Sequence, residues 1–204
     1  MLTRTIQMLL TAILLAVSAP LYAAPYKATV PATKVEAADL TFMREEEKLA
    51  RDTYLTFYDK WGLAIFSSIA SSEQSHMDAI LKLLNKYKLP DPAASTPIGV
   101  FTNLGLQDLY YMLTGIGLKT SLDALKVGST IEEKDMKDIN DAIQRADKPD
   151  IKAVYETLLC GSRNHLRSFE QNIKKLTGSY YYANYLDPED VDAIINSPME
   201  TCGR

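Results

Sequence analysis

Four stretches of this chain repeat apolar residues at steps of three and four, and none alternates polar and apolar residues as a half-buried strand would. The first stripe is Met43, Glu47, Ala50, Tyr54, Phe57 and Trp61, on a helix expected over 40–60. The second is Ile65, Ile69, Glu73, His76, Ile80, Leu83 and Tyr87, over 64–88. The third is Leu122, Leu125, Ser129, Glu132, Met136, Ile139 and Ile143, over 121–146. The fourth is Ile151, Tyr155, Leu158, Ser162, His165, Phe169, Asn172 and Leu176, over 149–176. Helices with one apolar stripe each must bury it against one another, which predicts an all-α helix bundle.

The connections refine that expectation. The first two helices are separated only by a turn at Gly62, so they pair as neighbours. Pro90, Pro92 and Pro97 end the second helix, and about thirty residues with a short helix over 104–113 then lead to the third. A link of that length can carry the chain from one end of a bundle to the other, which predicts a ferritin-like four-helix bundle with one long crossover. Asp39 and Ser121 are the expected N-caps of the first and third helices. Gly128 weakens the third by about 1 kcal/mol against Ala and marks a place where it can kink. Asp187-Pro188-Glu189 starts a last short helix reaching about 195.

The ends read differently. Arg4, the apolar run over 8–17 and the small residues Ala19, Ala23 and Ala24 make a secretory signal peptide over 1–23, placing the mature protein in the periplasm or outside the cell. The run is short for a membrane span, so membrane contact would come only through an uncleaved signal. Residues 24–38 read as an extended tether, 39–178 as the bundle and 179–204 as a tail. The net charge of −4 comes with no basic patch, which argues against nucleic acid as a partner. Two cysteines in an exported chain, Cys160 and Cys202, are expected to form a disulfide, worth about 4 kcal/mol by chain entropy for a loop of about forty residues.

The stripes are not purely apolar. Glu47, Glu73 with His76, Glu132, and Ser162 with His165 interrupt them near their middles, and His76 and His165 are the only histidines in the chain. A buried carboxylate needs a cation or a metal. Glu73 and His76, three apart, leave one helix face together and can reach one ion. A carboxylate from each of two helices plus Glu-x-x-His from each of the others makes a di-metal site. Carboxylate and imidazole suit iron or manganese, with zinc or copper also within their range, and the bundle setting favours iron. A metal-free alternative has His76 and His165 as core histidines bonded to Glu73 and Glu132. Glu45 and Glu46 read as solvated. Glu46, and Glu133 or Asp135, stand in reserve if the helical phase differs.

The segments MREEEKLARDTY, SSEQSHMDAI, IEEKDM and GSRNHLRSF carry a resemblance. Glu47 followed by Ala50-Arg51 and Tyr54, and the Glu73-x-x-His76 pair, are similar to the first two helices of rubrerythrin-type proteins. From Asp39 to Leu176 the chain resembles the uncharacterised DUF2202 family of bacterial and archaeal ferritin-like proteins. The resemblance implies Glu47, Glu73, His76, Glu132 and His165 as metal ligands. The pattern departs from the wider superfamily at Ser162, where a carboxylate is expected. Glu133, Asp135 or water fills that gap, or the site holds one ion, or it is degenerate. Tyr54, two turns from Glu47, is either a hydrogen-bond or electron donor to the site or a core tyrosine.

Two functions follow from the resemblance. One is a di-iron or mixed-metal oxidoreductase acting with oxygen, peroxide or a small substrate, without a rubredoxin-like cysteine cluster of its own. The other is a metal-binding or structural module without turnover. Either is compatible with association between copies of the chain.

Overall fold

The computed structural model describes residues 30–180 and 182–203. The expected signal peptide and residues 24–29 of the expected tether lie outside them. The described residues form six helices: α1 (Lys34–Trp61), α2 (Ala64–Tyr87), α3 (Leu104–Gly117), α4 (Ser121–Arg145), α5 (Pro149–Thr177) and α6 (Pro188–Ile195). Among the described residues there is no strand, and no helix is long and apolar enough to cross a membrane.

Several boundaries differ from expectation. α1 starts inside the expected tether. Thr33 accepts from the Glu36 amide at 3.1 Å, and the Glu36 carboxylate accepts from the Thr33 amide at 2.9 Å. This reciprocal capping box satisfies free amides of the first turn, so Asp39 lies within the helix and pairs instead with Arg145. α4 is capped by Thr120, whose hydroxyl accepts from the Asp123 amide, and not by Ser121. α3 runs on through Gly115 to Gly117. Gly128 does not break α4; a β-carbon there would stand 2.5 Å from the Phe169 ring, so its absence lets α5 pack close.

Cross-helix contacts set the directions. Arg51 donates to Gln74 and Glu47 meets His76, so α1 and α2 are antiparallel. Asp39 pairs with Arg145, Glu46 with Lys134, and Tyr54 with Glu132, so α1 and α4 are antiparallel as well. It follows that α2 and α4 run the same way. The chain between them must therefore travel the length of the bundle, which is the long crossover expected from the sequence. α5 returns against α4, with Asp135 opposite Ser162 and Ser129 opposite Glu170.

The crossover is tied down along α1. Glu45 accepts from the amides of Thr102 and Asn103. Lys48 donates to the Pro97 carbonyl at 2.8 Å, pairs with Asp52 and stands over the Phe101 ring, 4.5 Å from its centre. Asp52 accepts from the Gly99 amide at 2.9 Å. α1 is thus covered by α2, α4 and the crossover with α3, and every residue from Met43 to Ala50 is buried. This corrects the expectation for Glu45 and Glu46, which are 2% and 3% exposed. A stripe model assumes one buried face, and α1 has several.

The apolar core is divided. At one end Leu49, Phe57, Phe66, Leu125 and Phe169 pack together; at the other, Leu40, Met43, Ile80, Leu84, Ile139, Ile151 and Leu158. Phe57 and Phe66 meet edge to face at 5.4 Å, a geometry worth about 0.5–1.5 kcal/mol beyond burial. On α5, Asn172 and Leu176 are exposed, and Ile173, four residues after Phe169, is buried instead. The expected Cys160–Cys202 disulfide is present and ties the tail to α5. Beside it Arg163 and Arg167 both pair with Glu200.

Candidate metal centre

The belt between the two apolar halves holds the ionisable residues of the four stripes. Ligand atoms of Glu47, Glu73 and His76 all lie within 4.8 Å of one another, and so do those of Glu73, Glu132 and His165. Glu73 belongs to both groups. Its Oε2 is 2.8 Å from His76 Nδ1, and its Oε1 is 2.8 Å from His165 Nδ1. His76 Nδ1 is 3.1 Å from Glu47 Oε2, and His165 Nδ1 is 3.3 Å from Glu132 Oε2. The imidazole planes are inclined by 29° with centres 5.6 Å apart. All five side chains are buried.

Local sequence explains the convergence. Glu73 and His76 sit one turn apart on one face of α2. α1, α4 and α5 each bring one ligand type to the same level, because each stripe carries it near its centre. The antiparallel pairing keeps those centres in register.

The residues fit a metal ion. Glu47 Oε1, Glu73 Oε1 and His165 Nδ1 are buried and have no hydrogen-bond partner. The His165 Nδ1–Glu73 Oε1 approach of 2.8 Å therefore lacks hydrogen-bond alignment. A metal ion satisfies such atoms at once. His165 Nε2 lies 2.9 Å from Ser72 Oγ. With Nε2–H donating to the serine, Nδ1 keeps its lone pair for a ligand. Gly161 on α5 closes the other side, where a β-carbon would come within 2.5 Å of His76 Nε2. The sequence pattern points to neither Ser72 nor Gly161 as a site residue. Ser72 adjoins a candidate ligand, which was the available signal; Gly161 carried none.

The electrostatics agree. Burial pushes the Glu47 carboxyl up to about 8 despite the neighbouring His76. Burial and the charge of Glu73 raise Glu132. Burial also opposes ionisation of Glu73, but the His165 and His76 imidazoles override it and hold that carboxyl below the usual range. Burial disfavours charge on His165, yet Glu73 and Glu132 carry it up to about 10, and His76 is raised in the same way by Glu47 and Glu73. Three carboxylates around two neutral imidazoles would leave a buried excess of negative charge. Protons on the imidazoles offset part of it, and a divalent cation in their place would offset more.

Tyr54 donates its hydroxyl to Glu132 and is fully buried against Phe66 and Phe169. Its visible role is to hold Glu132. Of the reserve residues, two lie elsewhere. Glu46 pairs with Lys134 at 2.6 Å, and Glu133 accepts from the amides of Asn184, Tyr185 and Leu186, fastening the tail. Asp135 and Ser162 remain in the belt, bonded to each other at 2.6 Å.

Residues 36–198 match the model of an uncharacterised protein domain, DUF2202. The chain is 49% identical over 170 residues to an uncharacterised protein, MJ0754, of Methanocaldococcus jannaschii, covering 83% of this chain and 91% of the relative. The crystal structure of MJ0754 superposes with a TM-score of 0.82 at 48% identity, covering 86% of this chain and 99% of that one.

Proposed function

The chain belongs to the DUF2202 family, and on the chemistry of its bundle core we propose that it is an exported, ferritin-like metalloprotein. It binds one or two transition-metal ions, iron foremost, and acts as an oxidoreductase toward oxygen or peroxide. The observation that carries this reading is the pair of three-residue groups sharing Glu73, in which Glu47, Glu73 and His165 each keep a buried ligand atom without a hydrogen-bond partner.

Glu47, Glu73 and His76 would hold one ion, and Glu132, Glu73 and His165 the other. A redox-active metal there supplies electron transfer to the oxidant. Ser72 fixes the His165 tautomer, Tyr54 orients Glu132, and the two apolar halves exclude water from both ends of the site. The disulfide between Cys160 and Cys202 is compatible with an oxidising compartment, as export requires.

Metal analysis of the purified full chain tests the proposal, with Glu73→Ala and His165→Ala beside it. Stoichiometric iron in the wild type, lost in both variants, supports the site. Unchanged metal content in both variants overturns it. Aerobic loading with ferrous iron followed by repeated peroxide turnover supports the enzyme. One feature favours the second reading, a binding module without turnover: Ser162 stands where a carboxylate would complete a symmetric di-metal site. Binding without turnover in the same experiment selects that reading.

A further inference from the structure

We propose that the outward face of α3 is a dimerisation surface whose partner is a second copy of this chain, packed antiparallel across a two-fold axis. α3 carries two stripes. The inner one, with Leu106, Leu113 and Gly117, is buried, and a β-carbon at Gly117 would stand 2.1 Å from the Phe57 ring. The outer one runs Leu104, Asp108, Tyr111, Gly115 and Leu118, at alternating steps of four and three. That spacing is the seam by which one helix packs lengthwise on another, and all of these outer residues are exposed. Leu104 is 77% exposed and Tyr111 63%, with Met112 beside them at 52%. The outer face of α4, by contrast, is charged, with Lys137 paired to Asp141. Contiguous apolar surface of the kind α3 presents marks a place where another molecule docks.

Charge identifies the occupant as the same face of another copy. The outer stripe holds one acid, Asp108, and one base, Lys119, stands at its other end. Both are exposed, and neither pairs with a charge elsewhere among the described residues. They are separated by about three helical turns, so they lie on one side of the helix. An antiparallel copy, with the axis at the height between Met112 and Gly115, sets Asp108 of each chain against Lys119 of the other. Both pairs form at once, as an isologous interface requires; a parallel packing would set like charges together. Shape agrees. The same operation lays Tyr111 of each copy over Gly115 of the other, and a β-carbon at Gly115 would have nothing within 4 Å, so the space for the ring is open. Met112 and Ile116 continue the face into a groove of about 780 Å³ walled by Tyr180, Tyr182 and Tyr185 of the tail. Tyrosine is enriched in such interfaces, and the tail extends the contact beyond a single helix.

Sedimentation velocity over a concentration series tests this on protein expressed from the full sequence. The wild type is compared with Asp108→Lys, with Lys119→Asp and with the two changes combined. Both side chains are exposed, so the fold is not at stake, and circular dichroism verifies it. The expected result is a dimer in the wild type. Each single change sets two like-charged pairs across the axis and should raise the dissociation constant about tenfold or more. The combined change restores opposite pairs and should recover the dimer. A dissociation constant unchanged in both single variants puts the interface on another face and overturns the proposal. A wild type that is monomeric at every concentration overturns it as well, and cross-links from residues 1–29 to α3 would then identify the chain's own N-terminus as the cover. α3 supplies none of the candidate metal ligands, so either outcome leaves the metal-binding reading to its own experiment.

Discussion

Gly161 on α5 lies against the imidazole of His76 on α2 so closely that a β-carbon at position 161 would stand 2.5 Å from Nε2. The ring is an end of a rigid side chain held between Glu47 and Glu73, so it cannot turn aside without leaving both. Gly161→Ala should therefore weaken metal binding about tenfold or more and cost about 1–3 kcal/mol of stability through overpacking. Gly128→Ala meets Phe169 with the same severity in the apolar half. It should lower the melting temperature while leaving metal stoichiometry intact, and the two variants together separate site from scaffold.

Ser72→Ala removes the partner of His165 Nε2. Loss of such an outer contact commonly reduces metal affinity 10–100-fold. That range is expected here in a competition titration with a chelator, with little change in the circular dichroism spectrum. Wild-type affinity in this variant would mean that the tautomer of His165 is fixed by something else.

Metal binding should release protons and tighten as pH rises from 6 to 8. In the metal-free protein the neighbouring carboxylates hold His165 up to about 10, and burial holds Glu47 up to about 8. Both are protonated near pH 7 and must lose that proton to bind a cation, so raising the pH favours the bound form. Without metal the sign reverses for folding. Groups whose native pKa is raised bind extra protons in the folded state, so their stabilisation is present at low pH. It is lost as pH rises through 8 for Glu47 and through 10 for His165. Calorimetric titration in buffers of different ionisation enthalpy measures the first effect, and thermal melts of metal-free protein at pH 6 and 9.5 measure the second.

The disulfide closes a loop with a sequence separation of 42. By chain entropy, Cys160→Ser with Cys202→Ser should lower the unfolding free energy by about 4 kcal/mol in chemical denaturation. The tail keeps a second clamp. Glu200, held by Arg163 and Arg167, has its carboxyl pulled down to about 2. A lowered pKa stabilises the folded state above the unfolded value of about 4.3, and that contribution is lost as pH falls through about 2. Reduced protein should therefore lose protease protection of the tail at a higher pH than oxidised protein.

Much of the fold was legible because helices bury stripes and stripes have a period. The positions of α2, α4 and α5 followed from residues such as Ile80, Met136 and Leu158, and the crossover followed from the length of chain between Tyr87 and Ser121. What escaped was local or three-sided. The capping box of Thr33 and Glu36 precedes the first apolar residue of the stripe, so periodicity could not register it. Glu45 and Lys48 are buried by a crossover that joins α1 from far along the chain, and no pattern within α1 encodes a cover supplied from Pro97 to Asn103.

The amino-acid order alone determined that Glu47, Glu73, His76, Glu132 and His165 each lie mid-stripe, because helical spacing is a property of neighbouring residues. Tertiary structure alone decided that Glu73 is shared by both imidazoles, that Ser72 and Gly161 frame them, that Glu133 fastens the tail and that Asp135 turns inward to Ser162. Those outcomes depend on the rotation and height of one helix against another, which are set by packing across the bundle and have no counterpart in the spacing along any one strand of sequence.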